Sequence, residues 1–121
     1  ADVYAAFDIF VLASHREGFP RAAMESAAAG LPIVATDIRG CREIVIGGQN
    51  GLLVPVRSAN ALRAAITTLV ADPALRYRFG QASRVRAAAR FDERAVVERV
   101  MAAYAEVAER RHIVLVPDPR D

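Results

Sequence analysis

Two carboxylates, Glu17 and Glu25, stand eight positions apart in the stretch Arg16-Glu17-Gly18-Phe19-Pro20-Arg21-Ala22-Ala23-Met24-Glu25, with a Gly-Phe-Pro turn between them. An ionised carboxylate is an acceptor whose two oxygens each take two donors, so it suits hydrogen-bonding recognition of a ligand. The flanking sequence says where the pair sits. Ile9-Phe10-Val11-Leu12 is a short apolar run with polar residues around it, the pattern of a strand covered on both faces. Ala22 to Ala29 are good helix formers, ended by Gly30 and Pro32. The stretch therefore reads as the junction where a buried strand ends and a helix begins. In an open α/β sheet, ligands settle outside the carboxyl ends of the strands, where free amides and the positive end of a helix dipole attract anions. Glu17 falls in that loop and Glu25 on the first or second helical turn, so both can border one pocket. The spacing alone fits two solvated glutamates at a helix end equally well.

A second apolar run, Ile33 to Thr36, completes a strand-helix-strand unit, and the loop Asp37 to Gly40 leaves its carboxyl end toward the same crevice. A turn of helix is expected at Cys41 to Val45. Gly47-Gly48-Gln49-Asn50-Gly51 is turn chemistry, because Gly and Asn tolerate positive φ, and Leu52 to Val54 makes a third strand closed by Pro55. From Ser58 the period becomes helical, with Ser58 as cap and Leu62, Ile66, Leu69 and Val70 as an apolar stripe. Asp72-Pro73 ends that helix and starts a second, which runs to about Arg90 with a possible interruption at Gly80. A third begins at Phe91-Asp92-Glu93 and reaches about Arg111, with Val96, Val97, Val100, Tyr104 and Val107 inward. Upstream, Asp2 to Phe7 reads as a short helix capped by Asp2. Ile113 to Val116 could form a strand, and the tail 112–121 has no evident role.

Composition limits the possibilities. A chain of 121 residues suits one domain with a real core. A formal net charge of +2 with scattered Arg gives no footprint for nucleic acid. The single Cys41 excludes an internal disulfide, which fits a reducing cytoplasm. It reads as a packing residue, since no base beside it would activate a thiol. No apolar run reaches the length of a membrane span, and no signal pattern opens the chain. The absence of an initiator Met reads as the mark of a fragment. There is no Asp-any-Asp pair and the two His residues are far apart, so a metal site is not expected. The Arg-rich segment 76–90 is either a solvated helix face or a surface for anionic lipid. His15, one residue from Arg16-Glu17, reads as incidental.

Taken in order, Glu17, Glu25, Ser26-Ala27-Ala28-Ala29-Gly30-Leu31-Pro32-Ile33-Val34-Ala35-Thr36, Gly40-Cys41-Arg42-Glu43-Ile44-Val45 and Asn50-Gly51-Leu52-Leu53-Val54-Pro55 form a set that resembles the donor-sugar signature of family 4 glycosyltransferases of the GT-B fold. The resemblance spans about residues 3 to 108. It implies an α/β fold: a partial Rossmann-like parallel sheet, the C-terminal part of a GT-B enzyme, followed by C-terminal helices, with 1–111 as donor-binding portion and 112–121 as a tail. It implies a retaining transfer of a hexose or N-acetylhexosamine from a UDP- or GDP-sugar, with no metal or other cofactor. The acceptor, lipid-linked or polysaccharide, would bind through an N-terminal domain absent from this chain, in the cytoplasm or peripherally on the membrane's inner face. Carried over residue by residue, Glu17 is the catalytic candidate and orients the sugar, and Gly18-Phe19-Pro20 pass beneath it. The amides of Arg21 and Ala22 meet the distal phosphate, Glu25 the ribose, and Gly40 the nucleotide, while Glu43 orders its loop. Two departures stand out. The chain has no Lys, where the family usually places one near the diphosphate, and Pro20-Arg21 replaces Gly and an aliphatic residue, a variant found in polysaccharide-assembly members. Arg21 itself either pairs with a phosphate or is simply exposed. A noncatalytic nucleotide or sugar-phosphate binding module is the alternative reading of the whole chain, and a pure interaction domain a third.

Overall fold

The structure is a computed structural model that describes residues 3–111. The expected Asp2 cap, the strand at 113–116 and the tail 112–121 lie outside the described residues. The chain divides into two compact units, Ala1–Ala89 and Arg90–Asp121.

In the first unit a 3-10 turn, Tyr4–Ala6, precedes β1 (Phe10–Leu12), α1 (Arg21–Ala28), β2 (Ile33–Thr36), α2 (Arg39–Arg42), β3 (Gly51–Val54), α3 (Ala59–Ala71) and α4 (Pro73–Arg90). The three strands form one parallel sheet in the order β1-β2-β3, with Phe10 opposite Ile33 and Ile33 opposite Gly51. This is the expected α/β arrangement. Every residue of central β2 is buried. Val34 joins Val54, Ala65, Leu69 and Phe79 in one apolar cluster under α3 and α4, while α1 packs on β1 and β2. Burying a side chain such as Leu69 or Phe79 contributes about 2–3 kcal/mol. β1 departs from the expectation of a strand covered on both faces: it pairs with β2 alone, and Val11 is 39% exposed. An apolar run signals strand type, but whether a strand is central or at an edge depends on neighbours far away in sequence.

Helix boundaries follow local chemistry. The Ser58 hydroxyl accepts from the Ala61 N–H at the start of α3, and Asp72 Oδ1 from the Leu75 N–H at the start of α4. At the end of α1, Gly30 takes a φ of 82°, the Leu31 N–H donates to the Ser26 carbonyl and the Gly30 N–H to that of Ala27, a Schellman turn. α4 passes through Gly80 without interruption, because a side chain there would run into the Gly30 carbonyl: the glycine is a seat for the α1–β2 turn. The helix expected at Cys41 to Val45 forms earlier, at Arg39–Arg42, since the backbone beyond it is claimed by Asn50. This buried side chain accepts from the Ile46 N–H at 2.8 Å and donates to the Ile44 carbonyl at 3.1 Å.

Three arginines of α4 act inside the fold. Arg76 donates to the carbonyls of Leu69 and Val70 at the end of α3, Arg84 to that of Ala29 after α1, and Arg86 to those of Ile44 and Glu43 after α2. Cationic donors at helix C-termini satisfy carbonyls that have no partner within the helix. These three arginines thus also hold the fold together, while Arg78, Arg84 and Arg90 of the same segment are exposed.

In the second unit α5 spans Glu93–Arg111, and Asp92 Oδ1 accepts from the Arg94 N–H at its start. Val96, Val97, Val100, Tyr104 and Val107, expected inward, are all more than two-fifths exposed. Val70 on α3 is likewise exposed. Helical periodicity identifies the apolar face of a helix without saying what covers it.

Replacing Asn50 by Ala removes the partner of the half-buried Ile46 N–H and leaves the Ile44 carbonyl with Arg86 as its donor. We expect a loss of about 1–3 kcal/mol of stability, read as a lower denaturation midpoint with an unchanged slope. A loss below about 1 kcal/mol would show that the turn holds without this side chain.

Candidate functional site

Parallel pairing brings the carboxyl ends of β1, β2 and β3 to one rim, so the segments that leave them meet there. The Thr36 hydroxyl, at the buried end of β2, donates to the Ser14 carbonyl beyond β1. The Ser14 hydroxyl in turn donates to Glu17 Oε1 at 2.8 Å. Glu17 is half-buried, and this relay fixes its carboxylate relative to the sheet. A second constraint comes from α2. A Cβ at Gly40 would lie 2.5 Å from the Glu17 carbonyl oxygen and 2.9 Å from that of Gly18. The loop therefore rests on α2 backbone to backbone, and only glycine leaves room for it. Gly18 itself faces open space.

Pro20 is the residue before α1, buried and extended at φ −75°, ψ 99°. Its carbonyl accepts from the N–H groups of Ala23 and Met24 at 3.1 and 3.2 Å. The helix ladder starts with those two bonds, so the amides of Arg21 and Ala22 precede it on an exposed first turn. Phe19 is 49% exposed beside them.

Glu25, one turn further, is held by two partners. The Tyr4 hydroxyl donates to Oε2 at 2.9 Å and Arg21 Nε to Oε1 at 3.0 Å. The Tyr4 bond, and then Arg21, hold the Glu25 carboxyl below the usual carboxylate range, while the same bond pushes the Tyr4 phenol up. Arg21 thus lies along the helix as an i,i+4 partner of Glu25, with its side chain 85% exposed.

No hydrogen bond among the described residues joins Glu17 to Glu25, and each has its own anchor. Glu17, Gly18 and Gly40 are brought into contact; Pro20, Arg21 and Ala22 form the start of α1; Glu25 sits one turn on. A hollow of about 350 Å3 opens on the α3 side of the rim, walled by His15, Thr36, Pro55, Arg57, Ser58 and Leu62 among others, and neither glutamate lines it. His15, incidental in the sequence, is part of that wall. Burial pushes the Cys41 thiol up, with the charges of Glu17 and Asp37 acting the same way against a hydrogen bond with Thr36. The thiol stays protonated, as suits packing. Asp37 is paired with Arg42 at 2.6 Å. Among the described residues no three His, Cys, Asp or Glu side chains are placed to hold a metal ion, and no helix is long and apolar enough to cross a membrane. No local pattern singles out Tyr4, which is 21 residues from the carboxylate it binds, whereas Ser14 lies only three residues before Glu17.

Comparison with known proteins places this rim in a family. Residues 1–86 match the glycosyl transferases group 1 family. The glycogen synthase of Mycobacterium tuberculosis is 38% identical over 115 residues, which cover 93% of this chain and 27% of that protein. Among solved structures, sucrose-phosphate synthase from Thermosynechococcus elongatus superposes with a TM-score of 0.83 at 35% identity, over 87% of this chain and 26% of that one. Anabaena HepE in complex with UDP gives 0.83 at 26% identity, over 86% and 29%; HepE has also been solved with UDP-glucose. The chain spans about a quarter of the length of such relatives. Its parallel sheet and following helices are those of a GT-B C-terminal domain, and the chain belongs to the glycosyl transferases group 1 family.

Proposed function

We propose that this chain is the donor-binding portion of a retaining glycosyltransferase, which moves a hexose or N-acetylhexosamine from a UDP- or GDP-sugar to a lipid-linked or polysaccharide acceptor. The observation that carries the reading is the Glu17 carboxylate, pinned through Ser14 and Thr36 at the rim, one turn of chain from the exposed amides that open α1. Glu17 keeps acceptor capacity beyond the Ser14 bond and orients the sugar through its hydroxyls. The amides of Arg21 and Ala22 stabilise the charge that develops on the leaving diphosphate; one such preorganised donor is worth about 3 kcal/mol in other enzymes. Gly18, Phe19 and Pro20 pass beneath the sugar, and Glu25 takes the ribose hydroxyls. Gly40 serves the site by seating the Glu17 loop rather than by touching the nucleotide alone. The reading assigns no residue of the rim as a general base and takes transfer to follow a front-face route assisted by the leaving phosphate. The HepE complexes support a nucleoside diphosphate donor. The quarter-length match supports an acceptor site supplied by chain beyond these residues.

Three outcomes test this. In the full-length enzyme, Glu17→Ala lowers transfer at least about 100-fold, about 2.7 kcal/mol of transition-state stabilisation, while nucleotide diphosphate affinity changes by less than about threefold, as read by coupled nucleotide release and calorimetry. Transfer near the unaltered rate would overturn the role of Glu17, whereas nucleotide binding with no transfer by the unaltered full-length protein would favour the noncatalytic module. The isolated chain gives no turnover in the same assay; turnover near that of the full enzyme would refute the reading of it as one portion of a site. Gly40→Ala, which forces the Glu17–Gly18 backbone to shift, costs about 1–3 kcal/mol of stability by thermal denaturation and lowers transfer more than nucleotide binding.

A further inference from the structure

Glu25 has both carboxylate oxygens engaged by the protein, and the partner that reaches it from outside α1 is Tyr4. The phenol is itself held in place. Tyr4 opens the 3-10 turn, its carbonyl accepts from the Phe7 N–H, and its ring meets those of Phe7 and Phe10 edge-on, at centroid distances of 6.4 and 6.3 Å. Such edge-to-face contacts are directional and fix a ring's orientation. Phe10 is the first residue of β1, so the hydroxyl is referenced to the sheet that carries Glu17. The other partner, Arg21, has a side chain 85% exposed and sits on the same helix as Glu25, so it cannot fix that carboxylate relative to the sheet.

We propose that Tyr4 is a positioning residue of the donor site: through its hydroxyl it holds the Glu25 carboxylate in the rotamer that meets the donor ribose. The proposal rests on the reading of Glu25 given above and adds a residue to it. The two bonds from Tyr4 and Arg21 use one acceptor position on each carboxylate oxygen, and an ionised carboxylate has about four. Two remain for the vicinal hydroxyls of a ribose, and the Glu25 side chain is 45% exposed, open to a ligand. Without the phenol, the carboxylate regains its rotamer freedom and that ordering must be supplied on binding.

The test uses the full-length enzyme with Tyr4→Phe, which keeps the ring and its edge contacts and removes one oxygen. UDP and GDP, each beside its 2′,3′-dideoxy analogue, are titrated by calorimetry. The ribonucleotide that binds should lose three- to tenfold in affinity, while its dideoxy analogue is unaffected. KM for the donor should rise by the same factor with kcat within twofold. In a Glu25→Ala background the Tyr4 change should cost nothing further, since the two act as one unit. Ribonucleotide binding unchanged in Tyr4→Phe, or an equal loss for both nucleotides, overturns the proposal; the second result marks a purely structural tyrosine. If Glu25→Ala leaves the preference for ribose over dideoxyribose intact, the assignment of Glu25 to the ribose fails, and the role of Tyr4 fails with it.

Discussion

The rim of the sheet depends on a contact in which no side chain takes part. The carbonyls of Glu17 and Gly18 approach Gly40 so closely that even a methyl group would be expelled. Around that contact the Thr36–Ser14–Glu17 relay supplies direction. Ordering a loop residue costs about 1–2 kcal/mol, and a net hydrogen bond returns about 0.5–1.5. Two bonds alone would not hold the segment from β1 to α1. Backbone packing against α2 narrows its conformations from the other side, and Pro20 limits φ at the point where the helix begins.

α4 is what keeps the helices around the sheet in fixed relation. It lies over the turn that ends α1, with Gly80 against the Gly30 carbonyl. The Ser83 hydroxyl donates to the Asn50 carbonyl at 3.2 Å. Its arginines close the ends of α3, of α1 and of the segment after α2. Helix C-termini carry carbonyls with no partner of their own, and here a single later helix supplies donors to three of them. Because α1 is gripped at its C-terminal end, its N-terminal amides have a set direction at the rim. The support for the site therefore extends to residues that come well after it in the chain.

Much of this was legible beforehand because it is local. The caps at Ser58 and Asp72, the Gly30 stop and the strand-helix-strand order all rest on residues within a few positions of each other, and the ordered glutamate and glycine pattern located the rim. What was missed is tertiary. The exposure of Val11, the exposure of the apolar residues of α5 and the early position of α2 depend on what does or does not pack there. The bonds that the α4 arginines make to other helices have no local signal, because their acceptors lie as far as 55 residues away. Gly40 is a glycine in the sequence without any sign of what needs the space; the Glu17 and Gly18 carbonyls that its missing side chain admits come from a loop more than twenty residues earlier.

The protonation states at the rim bear on what chemistry it can support. The Tyr4 bond, and then Arg21, hold the Glu25 carboxyl below its ordinary value, so it stays ionised to lower pH than a free glutamate. A carboxylate held in that form accepts hydroxyl donors and has no proton to give. Burial acts on Cys41 in the opposite sense for a nucleophile, keeping the thiol protonated. Enzymes that work by proton transfer raise a carboxyl or lower a thiol toward neutral pH. Here both biases run the other way: the Glu25 carboxyl is lowered and the Cys41 thiol raised, so neither group is moved toward neutral pH.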